Sequence, residues 1–353
     1  MIDPFQQYEY SAALHVHSTL SDGSGSPQEI IQAAVGAGVD VLWLTDHDTL
    51  GARRFPGEGY YGHTLFLVGA ELSPRQNHVL ALGTERLPAS TGDWCDMVAS
   101  VVRAGGLVFV AHPDDPGNRF LKIPSYRWTV RDRCPVMGLE IWNHLSQWSS
   151  GITGVLSALR AVAQPSRNLK EAPRETLREW DRLGSSRRVV GIGGVDAHAV
   201  RIGRWPLVVT VFPYRVLFRT LRTHIYTRAS LTGDWQRDLS MLLAALAAGS
   251  ASIVNLREGH EKGFRFWAET GDLRWPMGAE TTWAPGMRLR GLSPVAAMWD
   301  IFCDGRLMGT QQGTLLDLAA PAAGVWRVAL RRDANSPRVW IYSNPIYLRA
   351  ATV

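Results

Sequence analysis

Residues 14–23, LHVHSTLSDG, hold the first group that could do chemistry. His15 and His17 stand two apart among apolar residues, and residues i and i+2 of a strand point to one face. Asp22 follows in a Ser-Asp-Gly turn. Imidazole and carboxylate are donors that zinc, iron and manganese accept. Alone, the pair is more simply read as two hydrogen-bonded packing histidines, but the placement recurs. Thr45-Asp46-His47-Asp48 ends the apolar run VDVLWLT, where Asp46 or Asp48 could orient His47 through its other ring nitrogen. Glu71 ends LFLVGA, and Arg75, Asn77 and His78 precede VLAL. His112-Pro113 ends LVFVA, with Asp114, Asp115, Arg119 and Lys122 in the polar loop beyond. RVVGIGG runs into Val195-Asp196-Ala197-His198, where Asp and His again stand two apart. Six of the ten histidines (His15, His17, His47, His78, His112, His198) lie at or next to strand ends, which favours a metal site over packing. His144, after GLEIW, lacks such company and reads as a pocket or packing residue. His63, His224 and His260 read as surface or packing residues.

These tips need strands and crossovers to position them. Ser26-Pro27-Gln28-Glu29 is a helix start with a capping box, and Gly36 and Gly38 end that helix. The strand 39–45 comes next, so the first unit is strand–loop–helix–strand, the pattern of a parallel α/β sheet or barrel. Function in such folds collects at the carboxyl ends of strands. Further helices are predicted at 92–104, 153–163, 172–184 and 234–248, with a polar, proline-containing linker at 164–171. In the last helix Trp235, Leu239, Leu242, Leu243 and Leu246 form a packing stripe ended by Gly249. From 250 onward the texture is short alternating runs with Gly and Pro turns. Strands are predicted at 251–256, 263–269, 287–291, 297–303, 325–331 and 338–342, with an Asp304-Gly305 hairpin. This reads as a small β-sandwich of Ig-like size, its tryptophans in the core. The expected division is 1–249 and 250–353.

The 353 residues suit two domains. The net charge of +5 is almost wholly arginine, since Lys122, Lys170 and Lys262 are the lysines. The basic residues are scattered, which suits steering of a small anionic substrate and does not indicate nucleic acid beyond a small nucleotide. Cys95, Cys134 and Cys303 make neither a disulfide framework nor a thiolate metal site. No apolar run reaches about 18 residues and MIDPFQQYEY lacks a signal core, so the expected compartment is the cytoplasm.

LHVHSTLSDG, WLTDHD, GAELS, VAHP and GGVDAHA, in this order, resemble the PHP (polymerase and histidinol phosphatase) domain. LTGD, GFRFWAE and WIYSNPIYL look like the CehA/McbA-like branch of that family. The resemblance implies an α/β fold, a distorted (β/α)7 barrel, followed here by the all-β sandwich. It implies two to three divalent ions (manganese, iron or zinc). His15, His17 and Asp196 would hold one. Glu71 would bridge it to a second on His112 and His78. Asp22, His47 and His198 would hold a third. Glu71, Asp196 and His198 are the residues expected to carry catalysis. Arg75, Arg119, Lys122, His144 and Arg201 are candidates to bind substrate. The expected activity is metal-dependent phosphoester hydrolysis through an ionised water. The alternatives are hydrolysis of a carboxylic ester, amide or carbamate by the same centre, and a non-catalytic metal-binding module.

Overall fold

The computed structural model describes residues 5–351 apart from 75, 89–92, 132, 135, 165, 167, 205 and 206, with backbone alone for 202–204 and 207–209. The first part carries β1 (Tyr8–Ala13), β2 (Val41–Leu44), β3 (Gly59–Tyr61), β4 (Thr64–Val68), β5 (Ala70–Leu72), β6 (Val79–Leu82), β7 (Leu107–Val110), β8 (Gly138–Asn143) and β9 (Val190–Gly194). β10 (Arg201–Arg204) and β11 (Leu207–Thr210) form a separate hairpin, and β12 (Leu221–Thr227) and β13 (Ala251–Asn255) follow. The helices are α1 (Pro27–Val35), α2 (Trp94–Arg103), α3 (His144–Ser150), α4 (Val155–Ala163), α5 (Arg174–Ser186), α6 (Tyr214–Leu217) and α7 (Trp235–Ala247).

Two sheets frame the site. One runs β12-β1-β2-β4-β3, with β1, β2 and β4 parallel. The other runs β5-β6-β7-β8-β9, with β7, β8 and β9 parallel. Neither closes on itself by an unbroken ladder, so the fold is a mixed α/β arrangement of two open sheets. They meet at two seams. At one, the chain beyond β1 lies parallel to the chain beyond β9: Val195 N–H donates to Leu14 O (3.1 Å), His17 N–H to Ala197 O (3.0 Å) and Ala197 N–H to His15 O (3.2 Å). At the other, β4 breaks at Gly69 and continues as β5, and Glu71 N–H donates to Thr45 O (3.1 Å). A Cβ on Gly69 would lie 2.5 Å from Ala81 O, so the break needs glycine.

α1 begins as its sequence requires: Glu29 N–H donates to Ser26 Oγ (3.3 Å) and Ser26 N–H to Glu29 Oε2 (2.7 Å). α2, α4 and α7 fall within the predicted helices, and α5 runs two residues past its predicted end, to Ser186. α3 was not predicted; Asn143 caps it, accepting from Ser146 N–H (2.8 Å). Among the described residues no helix is long and apolar enough to cross a membrane.

The remaining strands are β14 (Arg265–Thr270), β15 (Leu273–Pro276), β16 (Glu280–Thr282), β17 (Arg288–Cys303), β18 (Arg306–Ala319), β19 (Gly324–Arg331), β20 (Ile341–Ser343) and β21 (Ile346–Arg349). The strands expected at 287–291 and 297–303 are one, β17, interrupted by a register shift between Leu292 and Ala297. Asp304-Gly305 turns it into β18, both residues with positive φ (48° and 76°). Phe266, Leu289, Trp299, Trp326, Val328 and Trp340 build a core distinct from those under β1–β9. The hydrogen-bonded sheet nevertheless runs across residue 250, since β13 pairs with β12 on one side and β20 on the other.

Candidate metal centre

The seams gather the strand-end residues into one cluster. Glu71, on β5, lies at its middle with 1% of its surface exposed. Its Oε1 is 2.9 Å from His78 Nδ1 and 3.1 Å from His112 Nε2. Its Oε2 is 3.2 Å from His15 Nε2 and 3.3 Å from both His17 Nε2 and His47 Nδ1. Asp196 Oδ1 lies 3.4 Å from His15 Nε2, His17 Nε2 and His198 Nδ1. Asp22, more exposed, sits 3.2 Å from His198 Nε2 and 3.5 Å from His47 Nε2. Three donor groups result, each with its ligand atoms within 4.8 Å of one another: His15, His17 and Asp196; His15, Glu71 and His112; and His17, Asp22, His47 and His198. His78 joins through its contact with Glu71.

The backbone is bent to make this possible. His15, His112 and Asp196 have φ of 62°, 28° and 52°, which ordinary residues adopt rarely. Each stands two residues beyond the end of its strand, β1, β7 or β9, where the pleat has already stopped.

The charges are interdependent. Burial disfavours a charge on His15, but Asp196, Glu140 and Glu71 outweigh it and hold its pKa well above the ordinary value. Burial is likewise overcome at His112 by Glu71, and at His198 by Asp22 and Asp196; both rise to about 9. Burial raises the carboxyls of Glu71 and Asp196, yet His15 and its neighbours hold both well below the usual range. Asp22 is lowered in the same way by His198 and His47. Nδ1 of His17 and Nδ1 of His112 are buried without a hydrogen-bond partner, and His17 Nε2 has only its 3.3–3.4 Å contacts with Glu71 and Asp196. Leaving such atoms unpaired is costly. With carboxylates around the His17 ring and no thiolate in the set, the donors fit hard or borderline divalent cations.

Two residues that the sequence reading passed over hold the cluster in place. Glu140, within the apolar run of β8, accepts from His15 Nδ1–H (2.9 Å), His112 N–H (2.8 Å) and Asn143 Nδ2 (2.9 Å). This holds Nδ1–H outward, so Nε2 is the nitrogen that faces Glu71 and Asp196 and the one a cation would take in place of its proton. Asn143 also donates to Asp196 Oδ2 (3.2 Å). Gly194 makes room, since a Cβ there would sit 2.0 Å from Glu140 Oε1. A lone carboxylate inside a buried strand was the available signal. Asp46 does not orient His47. It accepts from Ser18 N–H, Ser18 Oγ and Ser21 Oγ, and so ties down the loop bearing Asp22. His47 Nδ1 instead pairs with Ser73 Oγ, and Asp48 Oδ1 accepts from Ser73 N–H (3.2 Å).

A pocket of about 170 Å³ opens onto the cluster, walled by Ile123, Tyr126, Leu145, Ser146 and Ser149. No arginine or lysine lines it among the described residues. Arg119 and Lys122 are exposed on the 118–123 turn, and Arg201 is exposed on β10. Arg75 lies outside the described residues. His144 is buried at the start of α3, edge-on to Phe212 (6.1 Å) and outside the pocket wall. His224 is a packing residue bonded to Glu9 (2.7 Å), while His63 and His260 are exposed.

No family model matches the chain. It is 40% identical over 81 residues to a phosphoribosyl 1,2-cyclic phosphate 1,2-diphosphodiesterase of Eggerthella lenta, a match covering 20% of this chain and 30% of that protein. It is 57% identical over 37 residues to a 5'-3' exoribonuclease of Haemophilus influenzae, covering 10% and 14% respectively. The chain therefore matches less than a third of the length of either relative. Among solved structures, it is similar to a two-domain protein of Bacteroides vulgatus containing a predicted PHP-like metal-dependent phosphoesterase, with a TM-score of 0.49, 12% identity and 96% of each chain covered. It is also similar to an amidohydrolase of Chromobacterium violaceum with bound sulfate, with a TM-score of 0.32, 17% identity and coverage of 53% of this chain and 87% of that one.

Proposed function

We propose that the chain is a metal-dependent phosphoesterase of PHP type acting on a small phosphorylated substrate. The observation that carries this is the set of three interlocked donor groups around Glu71 and Asp196, with buried imidazole nitrogens left unpaired. The names of the two sequence relatives, a diphosphodiesterase and an exoribonuclease, support a phosphoester as the bond attacked. On this reading the two sheets are the halves of a distorted seven-stranded barrel, β4 and β5 counting as one strand. Residues 250–353 form a β-domain that contributes no ligand.

Two to three manganese, iron or zinc ions would be held by the three groups, with His78 beside Glu71. Divalent ions there would supply Lewis acidity and a water ionised at neutral pH. The chain's own residues do the positioning. Glu71 presents one oxygen to His78 and His112 and the other to His15, His17 and His47. Glu140 fixes which nitrogen of His15 faces inward, and the Asp196 carbonyl does the same for His198, accepting from Nδ1 (3.0 Å). Ile123, Tyr126 and Leu145 exclude water from one wall.

A second reading, hydrolysis of a carboxylic ester, amide or carbamate, is favoured by one feature: the described pocket wall offers no arginine or lysine to clamp a phosphate. The CehA/McbA-like resemblance belongs with it. A purely metal-binding module would have little use for a pocket opening onto the donor set. The deciding experiment is elemental analysis followed by a screen of phosphomonoesters, phosphodiesters, carboxylic esters and amides with each metal. Phosphoester turnover with two to three bound metals is expected. Turnover of carboxylic esters or amides alone would transfer the assignment to the second reading. Less than one bound metal after reconstitution would remove both.

A further inference from the structure

A second cavity, of about 690 Å³, lies far from the donor cluster in the order of the fold. The metal residues follow the carboxyl ends of β1 and β9, whereas this crevice is reached from the other ends. Thr227, in its floor, pairs with Tyr8 at the start of β1, and Arg188 stands just before β9. One wall is a face of α7, where Met241, Ala244, Ala245 and Ala248 recur at helical spacing and leave room. The opposite wall is the segment Arg274–Met277, with Trp275 half-buried. The two walls are pinned together at one end: a Cβ on Gly278 (φ 82°) would lie 1.9 Å from Ala248 O, and Gly278 N–H donates to Pro345 O (2.8 Å). The crevice is thus closed at that end by backbone contact.

Its charge is one-sided. Arg188, Arg228 and Arg274 line it, against the single carboxylate Glu280, which Arg349 already engages (2.7 Å). Arg188 donates to a carbonyl, Ala247 O (3.1 Å). Arg274 is 3.6 Å from Glu269, but Arg290 and Trp267 hold that carboxylate more closely (both 2.8 Å). Three arginines around a wall of tryptophan, methionine and alanine match an anion that carries a flat apolar part.

The geometry points to a second binding site here, for a small phosphorylated molecule with a planar ring, of the mononucleotide class. The arginines take the phosphate and the ring lies between Trp275 and Met241. This site is independent of the hydrolytic centre.

The test is isothermal titration of the metal-loaded full chain with the methylene phosphonate analogue of AMP, which has no phosphoester to cleave, and with inorganic phosphate. Saturable binding of the analogue is expected. It should survive Glu71→Ala and weaken at least about tenfold in Arg228→Glu/Arg274→Glu, where two exposed charges are reversed. Trp275→Ala should weaken the analogue and leave phosphate unchanged. The proposal is overturned by absence of binding up to about 5 mM, by loss in Glu71→Ala with retention in the double variant, or by an unchanged affinity in Trp275→Ala.

Discussion

Glu140→Gln tests how the cluster is held. The carboxylate accepts three hydrogen bonds, and the amide can accept at only one of its two ends. If its oxygen faces His15, its NH2 meets two donors: His112 N–H loses its partner, and Asn143 Nδ2 keeps only Asp196. Each buried donor left unpaired costs about 1–3 kcal/mol. If the amide is turned over, its NH2 meets His15 Nδ1, which must then give up its proton. The proton moves to Nε2, the nitrogen 3.2 Å from Glu71, and that nitrogen can no longer act as a ligand. Either way metal affinity should fall by about 10–100-fold, or about 1.4–2.7 kcal/mol. Competition with a fluorescent chelator reads the affinity, and thermal unfolding of the metal-stripped protein reads the fold. Gly194→Ala should act in the same direction, because its methyl would displace Glu140 Oε1. An affinity within about threefold of the parent, with or without a lower melting temperature, would refute the reasoning and leave Glu140 a packing residue.

Glu71→Ala and Asp196→Ala should each release metal and abolish turnover, whereas His144→Ala should keep its full metal content; metal analysis with steady-state rates on one working substrate checks all three. Metal affinity should fall as pH drops below about 9, because His112 and His198 then carry protons that a cation must displace. The expected slope is up to about tenfold per pH unit for each proton released, levelling off above pH 9, and calorimetry in buffers of different ionisation enthalpy counts the protons. Arg327 pairs with Asp181 through two bonds (2.7 and 2.8 Å) and lies over Phe302 (4.4 Å), joining β19 to α5. Arg327→Ala should cost about 3–5 kcal/mol, since it strands a nearly buried carboxylate, and urea denaturation giving under about 1 kcal/mol would contradict that.

The donor residues were legible because strand periodicity and strand ends are written locally: an apolar run followed by Asp-x-His states both the element and the direction of its tip. Their grouping was not, because it depends on seams between 14–17 and 195–197 that no local pattern encodes. Glu140 escaped notice because a single glutamate in GLEIW says nothing about what it faces. Arg119 and Lys122 looked suited to a substrate because the loop follows His112, but a turn's orientation is a tertiary property; its Ile123 faces the pocket instead. β18 was missed because most of it is solvent-exposed, so it lacks the alternation that marks a half-buried strand. The interruption predicted within β17 is real as a register shift around Ser293-Pro294, but the chain resumes the same strand beyond it.

The left-handed backbone at His15, His112 and Asp196 has a consequence for how such a centre can change over generations. Gly and, to a lesser degree, Asn and Asp adopt that conformation readily, while β-branched residues resist it. Drift to Gly or Asn at these three positions would silence the centre yet keep the turn, so one later substitution could restore it. Drift to Val or Ile would unbend the strand end as well, and the way back would then require the neighbouring loops to be rebuilt. What lineages of this fold can regain is therefore set by the turn as much as by the ligand.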